Sequence, residues 1–170
     1  MTATDQGAGE QVSAATLTSI AIGSDDAGAP LRHIIVEHLA ERGIDVFDFG
    51  TDLAEPAYPV IAERVATAVA AGSYERAILI CGTGIGVCIV ANKIPGVYAA
   101  LAHDVYAARR ARLSNNAQVL TMGARVIGSG PACEVVDAWL SEEYAGGPSA
   151  DKLAIISELE ERLHVRASGQ

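Results

Sequence analysis

The sequence has no block of basic residues: its 12 Lys+Arg are outnumbered by 21 Asp+Glu, for a net charge of −9. Little is therefore available to neutralise a nucleic-acid backbone or an anionic membrane, so neither is an expected partner, and a small metabolite or another protein is. Long hydrophobic runs are missing too. The longest, over 77–91, is about 15 residues and carries Gly82, Gly84 and Gly86, short of the roughly 18 that a membrane-spanning helix needs. Cysteine is scarce: Cys81, Cys88 and Cys133 are odd in number and form no C-x-x-C, which suits neither a disulfide framework nor a zinc site and implies the reducing cytoplasm. The histidines, His33, His38, His103 and His164, include no i,i+4 pair and no H-E-x-x-H, so no metal is expected.

What is present fits one compact domain. Half of the 170 residues are hydrophobic, enough for a core without staples. Residues 1–17 are small and polar, with neither a positive leader nor an apolar segment, and read as a flexible tail. The domain is expected over 18–164, with a short tail over 165–170. Within it, apolar runs alternate with amphipathic segments. Strands are predicted over 19–23, 44–49, 76–81, 97–101 and 118–122. Helices are predicted from Pro30 to before Gly43, and over 59–71, 84–93, 105–113, 131–143 and 149–163. This pattern implies an α/β fold, a three-layer α/β/α sandwich around a five-stranded, parallel, Rossmann-like sheet. Ligands of such sheets sit at the carboxyl ends of strands, which directs attention to the residues just after each strand.

After the third strand comes Cys81-Gly82-Thr83-Gly84-Ile85-Gly86. Its glycines allow close backbone approach, and its N–H groups could hold a phosphate or a developing oxyanion and favour a Cys81 thiolate as base or nucleophile. It could equally be a tight turn with an inert, buried cysteine. After the first strand, Asp25 and Asp26 could align a substrate hydroxyl or cap the next helix. After the fourth, His103-Asp104 is an acid/base pair or, for Asp104, a cap. Arg109, Arg110 and Arg112 share one helix, and Arg125 follows the fifth strand; clustered guanidinium groups suit a phosphate, or they pair with acidic neighbours on a solvated face. Cys88, Met122 and Trp139 read as core.

Gly23-Ser24-Asp25-Asp26-Ala27-Gly28, the Ile80–Gly86 segment, Ala91-Asn92-Lys93, Asn115-Asn116-Ala117 and the Met122–Gly128 segment together resemble the ribose-5-phosphate isomerase B / galactose-6-phosphate isomerase family, over about 20–163. The resemblance implies the same open sandwich, no cofactor, and a homodimer, with pairing into tetramers left open, whose active sites draw on both subunits. It implies interconversion of an aldose phosphate and a ketose phosphate through a cis-enediolate. On this resemblance Cys81 is the proton-transfer base and Thr83 assists near the substrate oxygens. The amides of Gly82, Gly84, Ile85 and Gly86 form the oxyanion hole, Asp25 binds hydroxyls, Asn115 contacts the carbonyl end and Arg125 holds the anion.

The departures bear on the substrate. Asp26 and Ser114 stand where the family has histidines, the second of which opens the ring of a pentose phosphate; Ser114 cannot titrate in its place. The family's distal arginine pair is reduced, at most, to Lys152. A tetrose 4-phosphate has its O4 esterified and no ring to open, and the segment 113–118 resembles the branch associated with erythritol breakdown. The expected reaction is isomerisation of D-erythrulose 4-phosphate to D-erythrose 4-phosphate. Its rivals are a ribose-5-phosphate isomerase in which His103 opens the ring, and a non-catalytic sugar-phosphate or nucleotide-binding module.

Overall fold

The computed structural model describes residues 19–50 and 57–168, so the expected tail over 1–17 lies outside the described residues. The elements run β1 (Ser19–Ser24), α1 (Ala29–Glu41), β2 (Asp45–Asp48), α2 (Tyr58–Ala70), β3 (Ala77–Cys81), α3 (Ile85–Ala91), β4 (Ala99–Leu101), α4 (Val105–Asn115), β5 (Val119–Gly123), α5 (Ser129–Leu140), a 3-10 turn (Gly147–Ser149) and α6 (Ala150–Ser168). All five strands are parallel, in the order β2-β1-β3-β5-β4. The sheet is the expected α/β arrangement.

Alternation along the strands sorts the core into two layers. Ile20, Ile22, Ile78, Ile80, Leu120 and Met122 face one side, against Ile35 and Leu39 of α1, Ala108 of α4, and Val136 and Trp139 of α5. Ala21, Leu79, Cys81 and Val119 face the other, against Ile61 and Val65 of α2 and Val87 of α3. Because β1, β3 and β5 are covered on both sides, they read as continuous apolar runs. Met122 and Trp139 are fully buried. The Trp139 indole N–H donates to the Ala117 carbonyl at 3.2 Å, which satisfies its one polar atom.

Several boundaries differ from expectation for local reasons. Helix α3 starts at Ile85, because Gly84 is left-handed (φ 78°), and ends at Ala91, beyond which Asn92 donates to the Cys88 and Ala99 carbonyls. Helix α5 begins two residues before Pro131, since a first turn has no N–H partner for proline to remove. It stops at Leu140, where the buried Arg76 donates to the carbonyls of Trp139, Leu140 and Glu142. Burial, and next the Arg112 guanidinium beside it, pull the Arg76 pKa below its ordinary value, partly offset by Glu143 and Glu75. Helix α6 runs to Ser168, past the expected end at Leu163 and into the segment anticipated as a tail.

Candidate active site

Cys81 ends β3 and is only 5% exposed. The chain must turn at once to enter α3, and Gly84 makes that turn in a conformation that side chains rarely adopt. A Cβ on Gly84 would also lie 2.7 Å from the Met122 backbone. The turn aims the Gly84 N–H at the Cys81 sulfur, 3.1 Å away, a donor placed to stabilise negative charge on Sγ. Thr83 is exposed, and its Oγ1 accepts the Ile85 N–H at 3.4 Å.

The turn after β5 clasps this one. Ala124 donates to the Cys81 carbonyl at 2.9 Å and Arg125 to the Gly82 carbonyl at 3.0 Å. Gly123 approaches the Thr83 backbone so closely that a Cβ would sit 2.5 Å from it. The Arg125 guanidinium carbon lies 3.5 Å from where a Cβ of Gly82 would stand, so a cation rests beside the thiol turn. From the other side, Gly28 packs on the Ile80 carbonyl. Its N–H donates to Asp25 Oδ1 at 2.9 Å. The second Asp25 oxygen accepts no hydrogen bond among the described residues. Asp26 is exposed. Three consecutive sheet neighbours thus gather Asp25, Cys81, Thr83 and Arg125 at one edge.

His103 joins them in an unexpected capacity. Its Nε2 accepts the Gly123 N–H at 2.8 Å, which places the ring proton on Nδ1 and commits the other nitrogen to the β5 turn. Burial lowers its pKa and outweighs the opposite pull of Asp104. Asp104 itself caps α4, accepting the Ala107 N–H at 2.7 Å. A histidine held neutral in the fold takes up more protons when unfolded. Its contribution to stability is therefore complete above the unfolded pKa of about 6.5 and is lost as pH falls through the lower folded value. Between about pH 7.5 and 5.5, spanning that pKa, the Tm of the wild type is expected to fall more steeply than that of His103→Asn. Equal slopes would remove His103 from this balance.

Two residues named from the sequence lie elsewhere in the chain. Helix α4 runs back from the carboxyl edge, so Asn115, at its end, faces a cavity of about 310 Å³ beside Asn92, Tyr98, Leu153 and Ile156. Lys152 is exposed in the first turn of α6, which binds that same end through Tyr98 and Ser157. Arg109 pairs with Glu142, Arg112 with Glu143 and Glu75, and Arg110 with Ser114, so the α4 cluster is occupied within the chain.

Two residues at the edge escaped sequence reasoning. Arg32 of α1, 5% exposed, reaches Ser24 Oγ at 3.1 Å and Asp48 at 3.2 Å, and fills the space beside Gly50. It ties the carboxyl ends of β1 and β2 together next to Asp25. Tyr58 of α2 lays its ring on Gly86, where a Cβ would come within 2.6 Å of it. The signal for Tyr58 was its place just before Pro59 at a helix start; for Arg32 there was none, since an arginine on a helix reads as solvated.

Residues 20–156 match the family model described as Ribose/Galactose Isomerase. The chain belongs to the ribose/galactose isomerase family. It is 49% identical over 146 residues, 85% of this chain and 96% of the relative, to D-erythrulose-4-phosphate isomerase of Pectobacterium atrosepticum. It is 44% identical over 147 residues, 86% of this chain and 99% of the relative, to ribose-5-phosphate isomerase B of Escherichia coli. The solved structure of Clostridium thermocellum ribose-5-phosphate isomerase B superimposes with a TM-score of 0.82 at 43% identity, covering 86% of this chain and 99% of that one. As a member of the ribose/galactose isomerase family the chain is an aldose–ketose isomerase of sugar phosphates. Among the described residues no helix is long and apolar enough to cross a membrane.

Proposed function

We propose that the chain converts D-erythrulose 4-phosphate to D-erythrose 4-phosphate in the cytoplasm, without a cofactor. The observation that carries this choice is His103: its Nε2 is spent on the Gly123 N–H and its pKa is lowered, so it is poorly placed to protonate a ring oxygen. A substrate whose O4 is esterified forms no five-membered ring and needs no such group. The relative from Pectobacterium atrosepticum, at 49% identity, carries the name of this reaction.

In the proposed mechanism the Cys81 thiolate removes a proton from C1 of the ketose and returns it to C2. Between the two steps, negative charge on the enediolate oxygens is met by the amides of Gly82 and Gly86, since the N–H groups of Gly84 and Ile85, expected to share that role, are turned to Cys81 Sγ and Thr83 Oγ1. Thr83, beside them, passes the hydroxyl proton from O1 to O2. Asp25 accepts a hydrogen bond from the sugar through its open oxygen, Asp26 stands at the mouth, and Arg125 pairs with the phosphate. Asn115 and Lys152, at the far end of one protomer, serve the site of a second. Ile85 and Ile89 near the thiol turn and Ile155, Ile156, Leu159 and Leu163 along α6 are large, apolar and exposed, and support such a homodimer.

The test is kcat/KM for D-erythrulose 4-phosphate against D-ribulose 5-phosphate, with purified protein and no added metal. A preference for the tetrulose of about 100-fold or more is expected, the scale of an interaction worth several kcal/mol. A preference for the pentulose would return ring opening to His103, and turnover of neither by folded protein would favour a binding module.

A further inference from the structure

We propose that Tyr58 is a substrate-binding residue whose phenol donates a hydrogen bond to O3 of the open-chain sugar phosphate; this rests on the tetrulose-phosphate reading above. One contact of the ring and the seating of the helix that carries it fix where the ring stands. Its edge, atoms Cε2 and Cζ, lies against Gly86, 2.6 and 2.9 Å from where a Cβ would be, so the third glycine of the thiol turn is the seat on which the ring rests. One turn along the same helix, Ile61 packs on Gly23, 2.6 Å from its Cβ position, which pins the start of α2 to β1 two residues before Asp25. The start of α2 is thereby seated on β1 just before the Asp25 turn while the Tyr58 ring rests on the Cys81 turn. On the far flank of the thiol turn, Arg125 lies against Gly82.

The phenol itself makes no hydrogen bond among the described residues, and the side chain remains 41% exposed. A ring so constrained, with its polar end open, is pre-organised for a ligand. The substrate defines which atom it meets. In a tetrulose 4-phosphate O1 and O2 belong to the reacting enediol and O4 carries the phosphate, so O3 is the one remaining hydroxyl. A hydroxyl that gives its proton to a carboxylate still has lone pairs for a donor. Asp25, an acceptor with one open oxygen, and Tyr58, a donor, are complementary partners for that single group.

The deciding variant is Tyr58→Phe, which keeps the ring on Gly86 and removes only the hydroxyl. Its KM for D-erythrulose 4-phosphate is expected to rise about 10-fold with kcat within about two-fold, as for loss of an interaction made equally in ground and transition states. Its Tm is expected to be unchanged. With 3-deoxy-tetrulose 4-phosphate, wild type and variant are expected to have the same KM. A KM within about two-fold of wild type on the natural tetrulose, or an equal rise on the 3-deoxy compound, would overturn the assignment. Wild-type protein that binds and turns over pentulose but not tetrulose phosphate would instead remove the reading beneath it, and the assignment with it.

Discussion

Cys81→Ala is expected to lower kcat on D-erythrulose 4-phosphate by about 10² to 10⁴, the usual loss when a positioned base is removed. KM should change little, because the groups proposed to hold the sugar and its phosphate, Asp25 and Arg125, are untouched. The same variant should stop exchange of solvent deuterium into the carbon-bound positions of the substrate, which reports proton abstraction independently of product formation. The thiol packs among Leu79, Val87 and the α2 side chains, so some stability is lost with the sulfur, on the order of 1 kcal/mol. Activity within a few-fold of wild type would mean that another group takes the proton.

The second large effect is expected from Gly84→Ala, which adds one methyl group and leaves every proposed catalytic side chain in place. The left-handed backbone alone costs a non-glycine residue about 1–2 kcal/mol. The new Cβ would also stand 2.6 Å from Leu101 and 2.7 Å from the Met122 backbone. A leucine can rotate away, whereas Met122 is held in β5 by its pairing with Ile80 of β3 and cannot. The turn must therefore move, carrying the Gly84 N–H away from Sγ and the amides away from the oxyanion. A displacement near 1 Å in such a site costs about 100-fold in rate. Gly72→Ala separates the two causes, since Gly72 has a similar φ of 74° with nothing within 4 Å of its Cβ position. It should lose stability and keep activity. Full activity in Gly84→Ala would show that the turn geometry is not needed.

Much of this edge is legible in the sequence because Asp25, the Cys81–Gly86 turn and Arg125 each follow an apolar run directly, and parallel topology sends every such junction to the same side. The strands were readable for the same reason: runs such as Ala77–Cys81 are buried on both faces and have no competing helical period. Helix ends were less so. The stop of α5 depends on Arg76, a residue more than 60 positions away in the chain, and no local pattern encodes it. Arg32 and Tyr58 were missed because their roles come from packing across the layers; in sequence they are an arginine and a tyrosine on helix faces. The pair His103-Asp104 offered chemistry and capping together, and the structure gives the capping to Asp104 and a backbone contact to His103. Asn115 could be matched by resemblance, but only the course of α4 shows that it ends far from Cys81.

The strand order has a bearing on how the molecule comes into being. The central strand, β3, sits between β1 and β5, pairing Ala77 with both Ala21 and Val119. Each helix can close its hydrogen bonds from residues four apart, but these pairings join parts of the chain separated by about 40 to 55 residues, and such non-local closure is the slow part of folding. The clasp between the Cys81 and Gly123 turns depends on the second of them, which pairs β3 with β5 up to Cys81 and Gly123. A refolding chain therefore has no turn able to move a proton until that long-range pairing has closed, and chemistry waits on the slow step.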